Sequence, residues 1–125
     1  MMLERLLDSV ILIDHLNGLP EANGFVSALD PEVTAISVIT RAEILVGVEK
    51  EKEFLVKAFM DQFQLLIIDK VIADLAASLR KTRSWKLPDA FQAALSIHHK
   101  IKLSTRNTKD FDPRKCDFVE IPYET

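Results

Sequence analysis

Short aliphatic runs of strand length alternate with stretches of helical spacing from one end of the sequence to the other. That alternation restricts the chain to an α/β fold with a largely parallel sheet, because parallel strands need helical crossovers between them. Leu6-Leu7 predicts a brief strand to about Asp8, then a helix closing near Gly18; the unbroken run Val10–Ile13 fits a longer strand equally well. Pro20 to Leu29 predicts a second helix, broken by Asp30-Pro31. Val33 to Ser37 has the β-branched character of a strand, and Ser37 is placed to cap a helix running through Val48. The charged stretch Glu49–Glu53 reads as a solvated turn or helix surface. Phe54 to Phe63 predicts a helix with Phe54, Leu55, Ala58, Phe59 and Met60 on one side, as core or as an oligomer face.

Gln64 to Ile68 follows as a strand ending at Asp69, and Val71 to Arg83 as a helix with Ile72, Leu75, Ala76 and Leu79 inward. The next helix, Pro88 to about His98, has its start marked. Pro88 suits the first helical position, and Asp89 meets the positive end of the helix dipole. Ile101–Thr105 and Phe118–Ile121 are the last strands. No repeat, low-complexity stretch or linker interrupts the pattern. The expectation is one domain over residues 1–125, a central mostly parallel sheet of four to five strands flanked by helices. Its functional crevice belongs beyond the carboxyl ends of the strands.

Composition narrows the class. With 48% hydrophobic and 28% charged residues among 125, the chain is globular and long enough to bury a core. The net charge of −3 does not advertise a nucleic-acid binder. The charge is uneven, however: residues 1–70 carry six Lys/Arg against twelve Asp/Glu, and residues 71–125 ten against seven, so a basic surface can exist within an acidic protein. Cys116 is the sole cysteine, which excludes an internal disulfide and fits a reducing, cytoplasmic setting. Glu4, Arg5 and Asp8 interrupt the first apolar run, so no signal peptide is expected. No uncharged run reaches the roughly 18 residues of a membrane span, and no membrane partner is expected.

Four acids do not fit a plain core. Asp8 closes the first strand between two apolar pairs, where a carboxylate needs a helix to cap, a partner or a metal. Glu43 lies mid-helix in the apolar run Ile39–Leu45, and Arg41, two residues away, points to a different side; solvent exposure and a site are both open. Asp89 opens a helix and Asp110 follows a strand, with Asn107 three residues earlier; a cap and a turn explain them as well as a site does. All four can reach one edge of the sheet. Clustered carboxylates repel one another without cations, and hard oxygen ligands select Mg²⁺ or Mn²⁺ over zinc. Such a site can activate water and stabilise charge on a phosphate.

The residues around these acids resemble a known family. Leu6–Asp14 (LLDSVILID) is similar to the opening motif of the PIN-domain ribonucleases, Ser37–Val48 (SVITRAEILVGV) to their second acidic motif, Leu87–Ala94 (LPDAFQAA) to the third and Ser104–Phe111 (STRNTKDF) to the fourth. Order and spacing agree along nearly the whole chain, and the small size resembles the VapC toxins of VapBC toxin–antitoxin modules. Val10 departs from the pattern, standing where many relatives carry a small polar residue.

The resemblance implies that Asp8, Glu43, Asp89 and Asp110 are catalytic acids holding one or two Mg²⁺ or Mn²⁺ ions, with Ser9 and Asn107 in support. It implies an endoribonuclease that hydrolyses phosphodiesters of tRNA or ribosomal RNA, a homodimer, and a small VapB-like antitoxin that blocks the acids with a basic side chain. Arg80, Lys81, Arg83, Lys86, Arg106 and Lys109 are candidates for RNA phosphate contacts, or an ordinary solvated surface. Trp85 reads as a base-stacking ring or as packing. Two other readings stay in view. A phosphoacceptor receiver domain would use Asp69 after its strand, and a non-catalytic PIN-like module would bind RNA or protein without cutting.

Overall fold

A computed structural model describes residues 2–125. The elements run β1 (Arg5–Leu7), α1 (Ser9–Leu16), α2 (Pro20–Ser27), β2 (Thr34–Ser37), α3 (Val38–Val46), α4 (Glu53–Met60), β3 (Gln64–Leu66), α5 (Lys70–Thr82), α6 (Leu87–His99), β4 (Lys102–Ser104) and β5 (Val119–Glu120). Short 3₁₀ turns at Pro31–Val33 and Lys50–Lys52 lead into β2 and α4. The five strands are ordered β3-β2-β1-β4-β5, and every neighbouring pair is parallel.

Two adjacent leucines in β1 show how the sheet separates two cores. Successive strand side chains point to opposite faces. Leu6 packs with Ala35, Leu103 and the inner faces of α5 and α6. Leu7 packs with Ile36 and with Ile11, Val26, Ile44 and Met60 from α1 to α4. Both leucines are fully buried, as expected of a parallel sheet covered on both sides. Ala90, Ala93 and Ala94 give α6 a flat, fully buried inner face, so its backbone lies close to the sheet.

The strand order fixes where a site can form. From β1 the chain moves outward to β2 and β3, then α5 and α6 return it to β4 on the other side of β1. The switch in direction falls between β1 and β4, and the crevice opens at their carboxyl ends. Asp8 follows β1 there, Ser37 ends β2 and Thr105 follows β4. A receiver domain has the order 2-1-3-4-5 instead. Asp69, which that reading needs, sits beyond the edge strand and caps α5 by accepting from the Ile72 amide at 3.0 Å.

Several boundaries differ from the sequence expectation. Val10–Ile13 is helical, as the first reading of that run has it, whereas α3 ends at Val46 rather than Val48. Pro88 is the second residue of α6, behind Leu87. In α4 the buried residues are Val56 and Met60, while Phe54 and Leu55 are 79% and 68% exposed. Val56 and Met60 are four apart and share a face; Phe54, two before Val56, is turned roughly 200° away at 3.6 residues per turn. Trp85 and Cys116 are buried packing residues. Among the described residues no helix is long and apolar enough to cross a membrane.

Candidate functional site

Asp8 is both cap and crevice acid. Its Oδ1 accepts from the Ser9 amide at 3.0 Å, which caps α1, and from Gln92 Nε2 at 3.3 Å; its Oδ2 accepts from Thr105 Oγ1 at 2.8 Å. The last bond bridges the ends of β1 and β4 at the switch point. Asp8 is buried, yet all three partners are neutral. Thr105 Oγ1 in turn accepts from the Asn107 amide at 3.1 Å, tying the loop after β4 to the same carboxylate.

Glu43 from α3 and Asp89 from α6 face Asp8 across a cleft of about 360 Å³, lined also by Ser9, Asn107 and Lys109. Partial burial raises the Glu43 carboxyl above its ordinary pKa; the Ser9 hydroxyl pulls it back, and the charge of Asp8 pushes it up further. Asp89 is pushed up to about 6, first by burial and then by the charges of Asp8, Asp110 and Glu43, with Lys86 opposing. The four acids therefore feel one another, and among the described residues none of them is in an ion pair.

The acids line a shared cleft rather than a closed cage: among the described residues, no three His, Cys, Asp or Glu side chains converge tightly enough to hold a metal ion by themselves. An open, all-oxygen arrangement suits Mg²⁺, which keeps several waters and takes only one or two carboxylates directly. Unpaired negative charge in a half-buried cleft is the second feature that fits a cation. Zinc, with its preference for nitrogen and sulfur, does not fit this donor set.

The fourth acid stands one step outside. Asp110 is exposed and accepts from Asn107 Nδ2 at 2.8 Å, while Asn107 itself lines the cleft. Trp85 Nε1 anchors this loop by donating to the Asp110 carbonyl at 2.7 Å.

Three of the six basic residues proposed for phosphate contact make contacts within the fold. Arg106 grips Asp14 through Nε and a terminal nitrogen. Arg80 donates to the Trp85 carbonyl. Arg83 donates to Cys116 Sγ at 3.3 Å and lies over the Trp85 ring, 4.9 Å from its centroid. These guanidiniums hold the loops flanking α6 together, because each found a fixed acceptor within the fold. Lys81 is exposed on α5 and does not line the cleft; Lys109 and Arg106 do line it, and Lys86 is close enough to Asp89 for its charge to act on that carboxyl.

Gln92 and Thr105, which bond Asp8, and Thr40, which bonds Gln92, escaped the sequence reading; Ser37 caps α3 as expected, but its bond to Gln92 was not foreseen. Gln92 carried a signal, being polar within the apolar run Ala90-Phe91-Gln92-Ala93-Ala94-Leu95, and it is 2% exposed.

A family model described as PIN domain matches residues 5–114. No curated protein matches the sequence significantly. Among solved structures, the chain is similar to one from a toxin–antitoxin complex of Klebsiella pneumoniae, with 37% identity, 98% of this chain and 100% of that chain covered, and a TM-score of 0.90. It shares its fold with a chain of DNA-bound VapBC from Salmonella typhimurium (22% identity, 98% and 100% covered, TM-score 0.84). It also shares its fold with a chain of FitAcB from Neisseria gonorrhoeae (22% identity, 97% and 99% covered, TM-score 0.79). With the family model matching residues 5–114, most of its length, the chain belongs to the PIN-domain family.

Proposed function

We propose that this chain is the toxin of a toxin–antitoxin module, an endoribonuclease dependent on Mg²⁺ or Mn²⁺ that hydrolyses phosphodiester bonds of tRNA or ribosomal RNA. PIN domains are nucleases, and the observation that carries the reading is the cleft shared by Asp8, Glu43 and Asp89, with none of them in an ion pair among the described residues. These three would hold one or two ions, with Asp110 acting through Asn107 at the rim. When bound, such an ion supplies Lewis-acid charge that activates water and offsets negative charge growing on phosphate oxygens.

The chain's own residues do the rest. Thr105, Gln92 and the Ser9 amide keep Asp8 from turning away. Lys109, on the cleft wall, and Lys86, close enough to Asp89 for its charge to act there, are placed to attract the backbone phosphates without reading sequence.

A small VapB-like antitoxin is the proposed partner. An apolar groove of about 300 Å³, walled by Ile13, Leu16, Ile44 and Val48, shares Glu43 with the acidic cleft. A partner helix laid in that groove can bring a basic side chain to the acids, blocking them. A homodimer belongs to the same reading: Leu65, Ile67 and Val71 are exposed along the β3 edge, where a second copy would cover them. Cytoplasmic location fits the single buried thiol of Cys116.

The test is cleavage of total RNA by the purified chain with Mg²⁺, with EDTA, and with Asp89→Asn. Cleavage only by the wild type with metal supports the proposal. Cleavage that persists in EDTA or in the variant overturns the metal reading, and RNA binding without cleavage favours a non-catalytic module.

A further inference from the structure

Gln92 is buried in the middle of α6, between the sheet and the start of α3, and every polar atom of its amide is used. Ser37 Oγ donates to Gln92 Oε1 at 2.6 Å. Gln92 Nε2 donates to Thr40 Oγ1 at 2.9 Å and to Asp8 Oδ1 at 3.3 Å. Ser37 Oγ also accepts from the Thr40 amide at 3.0 Å, so the hydroxyl that orients Gln92 is itself the cap of α3. The reverse orientation of the amide would set its carbonyl oxygen against the Asp8 carboxylate, acceptor facing acceptor. The network therefore admits one direction for the amide.

The consequence falls on Asp8. A carboxylate offers about four lone-pair positions, two on each oxygen. Oδ1 already accepts two hydrogen bonds, from the Ser9 amide and from Gln92. Oδ2 accepts one, from Thr105. One position is left, and it is on Oδ2.

We infer that Gln92 is a positioning residue: with Thr105, it locks the Asp8 carboxylate so that Oδ2 alone engages a divalent cation, through a single oxygen. This rests on the metal reading proposed above. Groups that hold a ligating carboxylate in place typically alter metal affinity by about 10–100-fold when removed. Gln92→Met keeps the length of the side chain and removes both donors. It frees Oδ1 and lets the carboxylate rotate.

The experiment is calorimetric titration of Mn²⁺ into the full chain and into Gln92→Met, with thermal melts of both and steady-state RNA cleavage. The expected result is Mn²⁺ affinity about tenfold weaker in the folded variant, with kcat reduced more than KM rises. A residue that only fills the core would lower the melting temperature and leave the Mn²⁺ affinity of the folded fraction unchanged, and that outcome overturns the inference. If Gln92→Met does not fold, the wild type still decides. Titration with Mg²⁺ should shift the two side-chain amide proton signals of Gln92 in an NMR spectrum, and signals that stay fixed while metal binds overturn the inference. A wild type that binds no Mn²⁺ overturns the metal reading and this inference with it; binding with equal affinity in both chains overturns this inference alone.

Discussion

Arg106 holds Asp14 with two parallel hydrogen bonds, Nε to Oδ2 at 2.5 Å and a terminal nitrogen to Oδ1 at 2.9 Å, and Tyr123 donates its hydroxyl to Oδ2 of the same carboxylate at 2.9 Å. Three distant parts of the chain meet there: α1, the loop after β4, and the C-terminal segment. The Arg106 hydrogen bonds hold the Asp14 carboxyl below the usual range, against the opposing effect of burial, and the Tyr123 bond adds to this. Since Arg106 is flanked by Thr105 and Asn107, the clamp also fixes the wall of the acidic cleft.

Breaking this clamp should cost stability in a pH-dependent way. A carboxyl whose folded pKa is depressed contributes stability that is present above its unfolded value near 4 and is lost as pH falls through the folded value. The wild type should therefore lose melting temperature below about pH 4 more steeply than Asp14→Asn does. At pH 7, Arg106→Ala leaves Asp14 buried without a cation and should cost about 2–3 kcal/mol by urea unfolding. Arg106→Lys should recover little of it, because lysine cannot make the forked contact. An Arg106→Ala protein as stable as the wild type would show that the pair contributes nothing.

Asp89 carries the opposite sign. Its folded pKa is raised to about 6, so the folded state binds protons more tightly than the unfolded one. For the metal-free protein, stability is highest when Asp89 is protonated, falls as pH rises from about 4 to 6, and stays lower above. Asp89→Asn should consequently stabilise the metal-free chain by about 1–2 kcal/mol at pH 7.5, after discounting for solvent screening of a half-buried group. Thermal melts in EDTA measure this directly. Adding Mg²⁺ should raise the wild-type melting temperature more than that of the variant. If the variant is less stable than the wild type in EDTA, Asp89 is held by its role at the start of α6, not strained by its neighbours.

The acids show what a one-dimensional pattern can reveal. Asp8 and Glu43 stand out because each is an acid in an apolar setting; Asp89 reads as an ordinary helix-start acid, and the strand–helix alternation only allows the three to reach the sheet edge where they meet. The partners of Asp8 and Asp14 do not stand out. Gln92 reaches Asp8 across 84 positions and Arg106 reaches Asp14 across 92, and nothing local forecasts either meeting. An arginine near a site reads equally well as a phosphate ligand or a clamp until its acceptor is seen. The same limit explains Phe54 and Leu55: hydrophobic spacing marks an apolar side of α4, but which apolar residues face the sheet depends on how the helix docks.

Arg80 and Arg83 are engaged away from the cleft, and Arg106, on its wall, is paired with Asp14, so Lys86 and Lys109 should account for most of the electrostatic attraction of RNA to the cleft. Each phosphate contact to a single strand contributes roughly 0.7 to the slope of log affinity against log salt. Lys109→Ala and Lys86→Ala should each reduce that slope by about this amount, weakening all RNA sequences alike, whereas Lys81→Ala should leave it unchanged. Binding measured from 50 to 300 mM KCl with a catalytically silent Asp89→Asn background gives the slopes. A change in sequence preference instead of slope would mean that the lysines read bases.

The apolar groove allows inhibition to be separated from catalysis. Ile13 is 43% exposed on its wall, one turn along α1 from the Ser9 end that borders the acids. Ile13→Glu places a charge where a partner helix would bury apolar surface, and it adds a negative group on the Glu43 side of the groove. Because Ile13 already faces water, folding should be little affected, and RNA cleavage by the isolated chain should match the wild type. Capture of the cognate antitoxin, followed by co-purification and by titration of cleavage activity, should weaken at least tenfold, equivalent to about 1.4 kcal/mol. Undiminished inhibition of Ile13→Glu would move the antitoxin to another surface, with the exposed pair Phe54 and Leu55 on α4 the next to be tested by the same substitution.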